Sequence, residues 1–230
     1  MQQPSIMSER MVLRPLMEKD APVVRRLARS RKIAYTTPWV FLPYSEKQAL
    51  LWIASTAHHF AQRTSVEFGI QLKCGGRLVG LVGLDPMIAH DSVAELWFII
   101  TVACWGNGYA TEAGRAAVQF GFEHLGLNRI CGYHMVRNPA SGRVLAKLGM
   151  KREGLLRQHV RKNEVFEDVA LMALLREEWA KTTPHPNILA RSRGECARSR
   201  VSGQNDFWSA GQSQWLRRKH PRHSRSGIYP

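Results

Sequence analysis

The stretch from residue 95 to residue 113 constrains the fold of this chain more than any other segment. Residues 95–101 contain an apolar run of strand length with aromatic and β-branched side chains, which is typical of a strand covered on both faces. Gly106 and Gly108 mark the turn where this strand ends. Small and apolar residues then recur at the spacing of one helix face, at Ala110, Ala113, Ala116, Ala117 and Phe120. The segment therefore predicts a buried strand, a tight turn and a long helix.

The turn in this segment also predicts a site for an anion. A helix that begins directly after a Gly-x-Gly turn presents several backbone N–H groups that have no partner within the helix. Those groups and the helix dipole together favour a negatively charged ligand. We expect a phosphate or a pyrophosphate to bind there.

The rest of the chain predicts an α/β fold of the α+β kind, with a mixed, mostly antiparallel central sheet and helices on both faces. Asp20 and Pro22 open a helix that runs to about residue 29, and a second helix begins near Ser45. Its predicted buried stripe consists of Leu50, Ile53, Ala57 and Phe60. Strands are predicted at 11–13, 67–73, 77–84, 129–137 and, as an antiparallel pair, within 151–175, with a turn at 85–91 and a helix from 138 to 149.

Composition adds expectations about location and metals. The chain has no apolar run near the ~18 residues of a membrane span and no signal-peptide core at its start, so we expect a cytoplasmic protein. The four cysteines lie far apart, without the spacing of a zinc site, so we expect buried reduced thiols and no metal. They are Cys74, Cys104, Cys131 and Cys196.

Residues 183–230 form a separate region, because they are rich in Ser, Gly and Arg and have no helical or strand period. They carry nine of the Lys and Arg residues against two acidic ones, in a chain of net charge +15. One interpretation is an arm that contacts RNA, with Trp208 and Trp215 to stack on bases. The other is a solvated or non-native extension, since patternless basic runs are usually only solvated.

Several motifs resemble those of one known family. The segment Trp105-Gly106-Asn107-Gly108-Tyr109-Ala110-Thr111-Glu112-Ala113 is similar to the acetyl-CoA pyrophosphate loop of the GNAT N-acetyltransferases, and most to the RimJ/RimL branch, which acetylates protein N-termini. Further matching blocks lie at 9–16, 138–141, 148–150, 168 and 174–179. The resemblance implies a GNAT domain over residues 9–180, in which two strands splay apart to bind acetyl-CoA.

The resemblance also implies which residues hold acetyl-CoA. The backbone amides around Gly106 and Gly108 would bind the pyrophosphate, and strand backbone groups would bind the pantetheine arm. Asn138 matches the family asparagine that holds the pantetheine, and Ser141 matches a serine near the sulfur. Without the resemblance, the two glycines are a tight turn, Asn138 is a helix cap and Ser141 is an idle hydroxyl. The implied cofactor-binding residues are Phe98, Ile99, Ile100, Trp105, Gly106, Asn107, Gly108, Tyr109, Ala110, Asn138 and Ser141.

Acyl transfer from a thioester to an amine needs a neutral amine and stabilisation of the departing thiolate. Glu95 matches a position where the family often has a carboxylate, so it is our first candidate for the base, and His134 is the alternative. Without a catalytic role, Glu95 is a surface carboxylate of the strand and His134 is a buried structural histidine. Ser141 is the candidate donor to the thiolate. An N-terminal α-amine, with a pKa of about 7.7–8.0, needs only a modest base.

Aromatic residues are the candidate acceptor contacts. The family resemblance places the loop before the second helix beside the acceptor groove, which makes Trp39 and Tyr44 possible substrate contacts; aromatic residues are also common in cores. Trp97 stands where the family commonly has a glycine, and its ring is expected to narrow the acceptor cavity.

These inferences together predict an acetyl-CoA-dependent N-acetyltransferase that transfers the acetyl group directly within a ternary complex. The expected acceptor is a protein N-terminus, and an amino acid, a polyamine or an aminoglycoside is the alternative. A regulatory module that binds acetyl-CoA or nucleic acid without catalysis is a second class. We expect a monomer or a homodimer with no membrane partner.

Overall fold

A computed structural model describes residues 2–37, 44–88 and 92–181 of the protein. Its strands are β1 (Ile6–Met7), β2 (Met11–Arg14), β3 (Val66–Leu72), β4 (Leu78–Ile88), β5 (Val93–Ile100), β6 (Arg129–Met135), β7 (Lys151–Lys162) and β8 (Val165–Leu175). Its α-helices are α1 (Ala21–Ala28), α2 (Arg31–Thr36), α3 (Glu46–Ala61), α4 (Tyr109–Glu123), α5 (Pro139–Lys147) and α6 (Arg176–Ala180).

The strands form one sheet in the order β1-β2-β3-β4-β5-β6-β8-β7. Neighbouring strands are antiparallel except for β5 and β6, which are parallel and are joined by the crossover through α4. The predicted mixed, mostly antiparallel sheet is confirmed. Among the described strands this parallel pair is the fifth and sixth of the sheet, and β5 belongs to the strand–turn–helix segment.

Apolar side chains on both faces of the sheet are buried, because helices cover both. One cluster joins α4 to the sheet and includes Phe68 and Val82. A second cluster joins α1 and α3 to the opposite face and includes Leu81. Successive strand residues point to opposite faces, so the neighbours Leu81 and Val82 belong to different clusters. The predicted placement of helices on both faces is confirmed.

Several local predictions need correction. The turn predicted at 85–91 is strand as far as Ile88, and Pro86 lies beside an irregularity in the β4–β5 register, a position where a sheet tolerates proline. Helix α3 buries Ala49, Ile53 and Thr56. Of the predicted stripe, Ile53 is buried and Phe60 packs partly buried against the core, whereas Leu50 and Ala57 are exposed.

Three short elements were missed, strand β1 and helices α2 and α6, and one cysteine was misplaced. The chain gave no signal for strand β1 or for helix α2, whose Ser30 side chain accepts a bond from the Ile33 amide. Cys104 and Cys131 are buried as expected, but Cys74 is exposed in the turn between β3 and β4, because that turn leaves the sheet. No helix in the described ranges is both long and apolar enough to cross a bilayer.

Some of the sequence predictions lie outside the described residues. These are the tail at 183–230 with its proposed RNA contact, Cys196 and the acceptor candidate Trp39.

Candidate active site

Strands β5 and β6 separate part-way along their length. In the described strands they pair at Val93↔Arg129, Ala94↔Ile130 and Glu95↔Cys131 and no further. Beyond this point β5 remains paired with β4 as far as Ile100, and β6 remains paired with β8 as far as Met135. The two strands therefore separate beyond Glu95 and bound a wedge, in which the facing backbone edges of β5 and β6 are not paired with each other.

Backbone alternation determines which residues of β5 face the wedge. The Thr101 amide donates to the Val79 carbonyl of β4 over 2.8 Å, so Ile99 also turns its backbone groups toward β4. Phe98 and Ile100 then turn theirs toward the wedge. The Ile100 carbonyl accepts a 2.8 Å bond from the Trp105 indole nitrogen. Of the three predicted backbone contacts, Phe98 and Ile100 are placed at the wedge and Ile99 is not.

The turn after β5 has the geometry of an anion cradle. A short 3₁₀ turn at Val102–Cys104 leads to Gly106 and Gly108, which have φ angles of +79° and +76°. Glycine adopts these left-handed angles without steric cost. A Cβ on Gly106 would meet no atom within 4 Å, so the turn is open on that side. The Asn107 side-chain amide braces the turn by donating to the carbonyls of Cys104 and Trp105, over 3.2 and 3.1 Å.

Helix α4 begins at Tyr109, directly after this turn. Gly108 has no side chain to bond the first amides of the helix, so those donors remain for a ligand. The residues that sequence analysis assigned to the pyrophosphate, from Trp105 to Ala110, are thus brought together at the mouth of the wedge. This cradle and the open wedge fit a diphosphate joined to an extended chain.

Asn138 begins helix α5 on the other side of the wedge. Its side-chain oxygen accepts a 3.3 Å bond from the Ser141 amide, so it is the helix cap. Its side-chain nitrogen donates to the Thr36 carbonyl of α2 over 3.2 Å. Asn138 therefore connects the wedge to the end of α2, a contact that local sequence patterns did not indicate.

The two candidate bases lie on opposite faces of the sheet. Glu95 is buried and is the last residue of β5 that pairs with β6, and it alternates with Ala94 and Leu96 of the α4 cluster. Its carboxylate therefore lies on the α1–α3 face. The His134 ring packs on the other face, since a Cβ on Gly142 of α5 would lie 2.7 Å from its Nε2.

Glu95 influences the thiol and the phenol beside it on β6. Burial, and after it the negative charge of Glu95, raises the pKa of Cys131 to about 11. Burial, Cys131 and Glu95 raise the pKa of Tyr133 to about 12. Both groups are therefore protonated at neutral pH. A buried neutral thiol is a poor nucleophile, so Cys131 is unsuited to carry an acyl group.

The ring of Trp97 lies over β4 instead of filling the wedge. A Cβ on Gly83 of β4 would be 2.6 Å from two atoms of this ring, and Trp52 of α3 lies 6.4 Å away between ring centroids. The expectation that Trp97 narrows the acceptor cavity therefore applies to the space between β4 and α3. Tyr44 packs against the same cluster, donates to the Gln48 carbonyl over 3.4 Å and has a pKa raised by burial.

Residues 10–151 match the sequence profile of the acetyltransferase (GNAT) domain. The chain belongs to the GNAT acetyltransferases. It is 27% identical over 175 residues to the uncharacterized N-acetyltransferase YoaA of Bacillus subtilis. The matched region covers 75% of this chain and 97% of YoaA. It is also 27% identical over 176 residues to the putative ribosomal N-acetyltransferase YdaF of the same organism, over 75% of this chain and 94% of YdaF.

Solved structures agree with the assignment. Spermidine N-acetyltransferase from Vibrio cholerae, crystallised with CoA and spermine, superposes with a TM-score of 0.66 and 25% identity over 75% of this chain and 99% of that one. GNAT acetyltransferases use acetyl-CoA, and the relatives support an N-acetyltransferase activity for this chain. The predicted GNAT fold and enzyme class are confirmed.

In this GNAT acetyltransferase the end of α2 covers one side of the wedge entrance. A cavity of about 340 Å³ lies between α2 and the turn that contains Gly106 and Gly108, lined by Arg31, Lys32, Tyr35, Thr36 and Trp105. Lys162 donates to the Thr37 carbonyl over 2.9 Å, and burial followed by the charge of Arg137 lowers the pKa of Lys162 to about 8. The Arg137 guanidinium lies 4.2 Å from the centre of the Tyr35 ring. These contacts join α2 and the residue after it to β7 and to the segment that follows β6.

Proposed function

We propose that this GNAT acetyltransferase holds acetyl-CoA in the wedge between β5 and β6 and transfers its acetyl group to a primary amine, by preference the N-terminal α-amine of a protein. The observation that carries this proposal is the end of β5–β6 pairing at Glu95↔Cys131, beside an open glycine cradle. We take residues 9–180 as the catalytic domain and the RimJ/RimL branch as its place in the family.

Each part of acetyl-CoA has a matching set of groups. The cradle at Gly106 and Gly108 suits the diphosphate, because its amides and the dipole of α4 both favour an anion. The pantetheine arm, which carries the activated acetyl thioester, would bond to the backbone of Phe98 and to the side chain of Asn138. Ser141, in the first turn of α5, is proposed as the donor near the sulfur.

Glu95 is our candidate to accept the proton of the incoming ammonium group. It lies where the wedge begins, on the face that is also lined by Trp97, so the acceptor would approach from the α1–α3 side. His134 remains the alternative base, although it packs against α5 on the opposite face. Direct transfer is supported by the state of Cys131, which pairs with Glu95 at the start of the wedge and is buried and protonated.

A small polyamine is the second candidate acceptor. Asp85 of β4 lies opposite Glu95 in the β4–β5 register, so two carboxylates share the acceptor face. Such a pair would attract a second ammonium group on a polycation. The chain's similarity to a spermidine N-acetyltransferase supports this alternative.

Steady-state kinetics with a panel of acceptors tests the proposal. CoA release is measured with acetyl-CoA, peptides with free N-termini, the same peptides with blocked N-termini, and spermidine. We expect turnover with free N-termini only, and initial-velocity lines that intersect, as direct transfer requires. Parallel lines would contradict direct transfer, and turnover with spermidine alone would favour the second acceptor class.

A further inference from the structure

Arg10 lies just before β2 and contacts the turn that contains Gly106 and Gly108, which is distant from it in sequence. Its Nε donates to the Glu112 carboxylate over 2.7 Å, and its Nη1 donates to the Asn107 carbonyl over 3.0 Å. The guanidinium carbon also lies 4.9 Å from the centre of the Tyr109 ring. Two of the three guanidinium nitrogens are thus bonded to the turn and to the first turn of α4.

The remaining nitrogen of Arg10 faces the cradle. Nη2 lies 3.5 Å from the position that a Cβ on Gly108 would occupy. Gly108 directly precedes the first amides of α4, which are the proposed donors to the diphosphate. The side chain of Arg10 is about half exposed, so a ligand in the cradle has access to this nitrogen.

Glu112 explains how the guanidinium is held in this orientation. Its carboxylate accepts from the Ser8 hydroxyl over 2.8 Å and from the Arg10 amide over 2.8 Å, in addition to Arg10 Nε. Partial burial acts to raise the pKa of Glu112, but these hydrogen bonds outweigh it and hold the pKa below its usual value. Glu112 is therefore an anion at neutral pH. By itself an anion beside the cradle would repel a diphosphate, so its benefit must come through Arg10.

We infer that Arg10 is a ligand of the acetyl-CoA diphosphate and that Glu112 is the positioning residue that aims its guanidinium at the cradle. An arginine so held supplies a charge-assisted bond to a phosphate oxygen with little further loss of side-chain freedom. This inference rests on the proposed binding of acetyl-CoA in the wedge, and it adds a side chain to a site otherwise built from backbone amides.

Calorimetric titration of CoA into the full chain tests the role of Arg10. Arg10→Gln removes the contact, and Lys73→Gln is the matched control. Lys73 lies on the neighbouring turn after β3 and donates to the Ser8 carbonyl over 2.5 Å, so the control removes an equal charge nearby. We expect Arg10→Gln to weaken CoA binding about 10- to 100-fold, the effect of one hydrogen bond to a charged group. We expect Lys73→Gln to weaken it less than about threefold, because salt screens exposed charges.

Titration with dephospho-CoA identifies the phosphate involved. This ligand keeps the diphosphate and lacks the 3′-phosphate. If Arg10 binds the diphosphate, Arg10→Gln weakens the binding of dephospho-CoA by the same factor as the binding of CoA. A defect that disappears with dephospho-CoA would assign Arg10 to the 3′-phosphate and overturn the inference.

A double-mutant cycle tests the role of Glu112. We expect Glu112→Gln to weaken CoA binding about tenfold in the wild-type background, although it removes a negative charge. In the Arg10→Gln background the same change should leave binding unchanged or tighten it, because only the repulsion is then lost. Weakening by the same factor in both backgrounds would overturn the positioning role.

Controls separate this inference from the proposed function. If the wild-type chain gives no heat with CoA, the proposed function fails. If the wild-type chain binds CoA and Arg10→Gln binds it equally well, or no more weakly than Lys73→Gln does, only the inference fails. Thermal unfolding identifies variants that do not fold. If Arg10→Gln does not fold, Arg10→Lys replaces it, and this variant must still weaken CoA binding more than Lys73→Gln does.

Discussion

Replacement of Glu95 by Gln tests the proposed base. Glu95 is only 5% exposed and marks the point where β5 and β6 part. The change to Gln keeps the size of the side chain and removes its negative charge and its ability to take a proton. We expect the variant to bind acetyl-CoA normally and to lose turnover near neutral pH. The physical reason is that the acceptor ammonium must lose a proton before its nitrogen attacks the thioester.

The size of the loss depends on the acceptor. At about pH 7.4 an α-amine with a pKa of about 7.7–8.0 costs less than about 1 kcal/mol to deprotonate, whereas a lysine at about 10.4 costs about 4 kcal/mol. General-base catalysis contributes about 10²- to 10⁴-fold. With an N-terminal acceptor we therefore expect a loss of kcat/KM near the lower end, about 100-fold, that shrinks as the pH rises above about 8.

The assay is the pH profile of kcat/KM for the acceptor, measured by CoA release. Glu67→Gln is the matched control, because Glu67 is also buried and lies on β3, opposite Gly83 of β4. It should leave the profile unchanged. If Glu95→Gln also leaves the profile unchanged, Glu95 is not the base, and the assignment passes to His134.

Three further predictions concern the surroundings of the wedge. Asn138→Ala removes the cap of α5 and the bond to α2, so it should lower the free energy of unfolding by about 1–2 kcal/mol and raise the KM for acetyl-CoA. Asn138→Asp keeps the cap oxygen but cannot donate to the Thr36 carbonyl, so it should recover only the part of the stability that is due to the cap, without recovering the KM, in the same urea-unfolding and rate measurements. An unchanged KM in both variants would rule out the pantetheine contact. Gly83→Val puts a side chain where the Trp97 ring lies, so it should lower the free energy of unfolding, measured with urea, by about 1–3 kcal/mol. Trp97→Ala should relieve part of that loss in the double variant. Simple additivity of the two changes would be inconsistent with this packing. Lys162 loses its proton at about pH 8 in the folded state and at its ordinary, higher pKa in the unfolded state. Between these two pH values the unfolded state binds more protons than the folded state, so the free energy of unfolding must rise with pH. Relative to Lys162→Met, the wild-type chain should gain up to about 3 kcal/mol between about pH 8 and 10.5, and a constant difference across that range would refute the shifted pKa.

The central segment was predictable because its signals are local. The apolar run, the two glycines and the alanine periodicity all lie within one stretch of chain, and they specify β5, the cradle and α4 in turn. Asn138 followed by Pro139 specified the start of α5 in the same way. Each of these signals acts between residues that are close in sequence, so no knowledge of the sheet order was needed.

The contacts that complete the site were not predictable in this way. The bond between Arg10 and Glu112 joins residues 102 positions apart, and it forms only because α4 begins beside the turn that precedes β2. Helix α2 is short, and the end of it is held by Asn138 and Lys162, which come from distant elements. The separation of His134 from Glu95 likewise depends on which face of the sheet each strand presents. These features follow from tertiary packing and not from periodicity.

The most direct test of the account is amide hydrogen–deuterium exchange of the full chain with and without saturating CoA. The account predicts slower exchange in peptides that cover residues 96–110 and 133–141, the two sides of the wedge, and little change in the strand pair β7 and β8 away from it. Measurable CoA binding without protection of either side of the wedge would contradict the account.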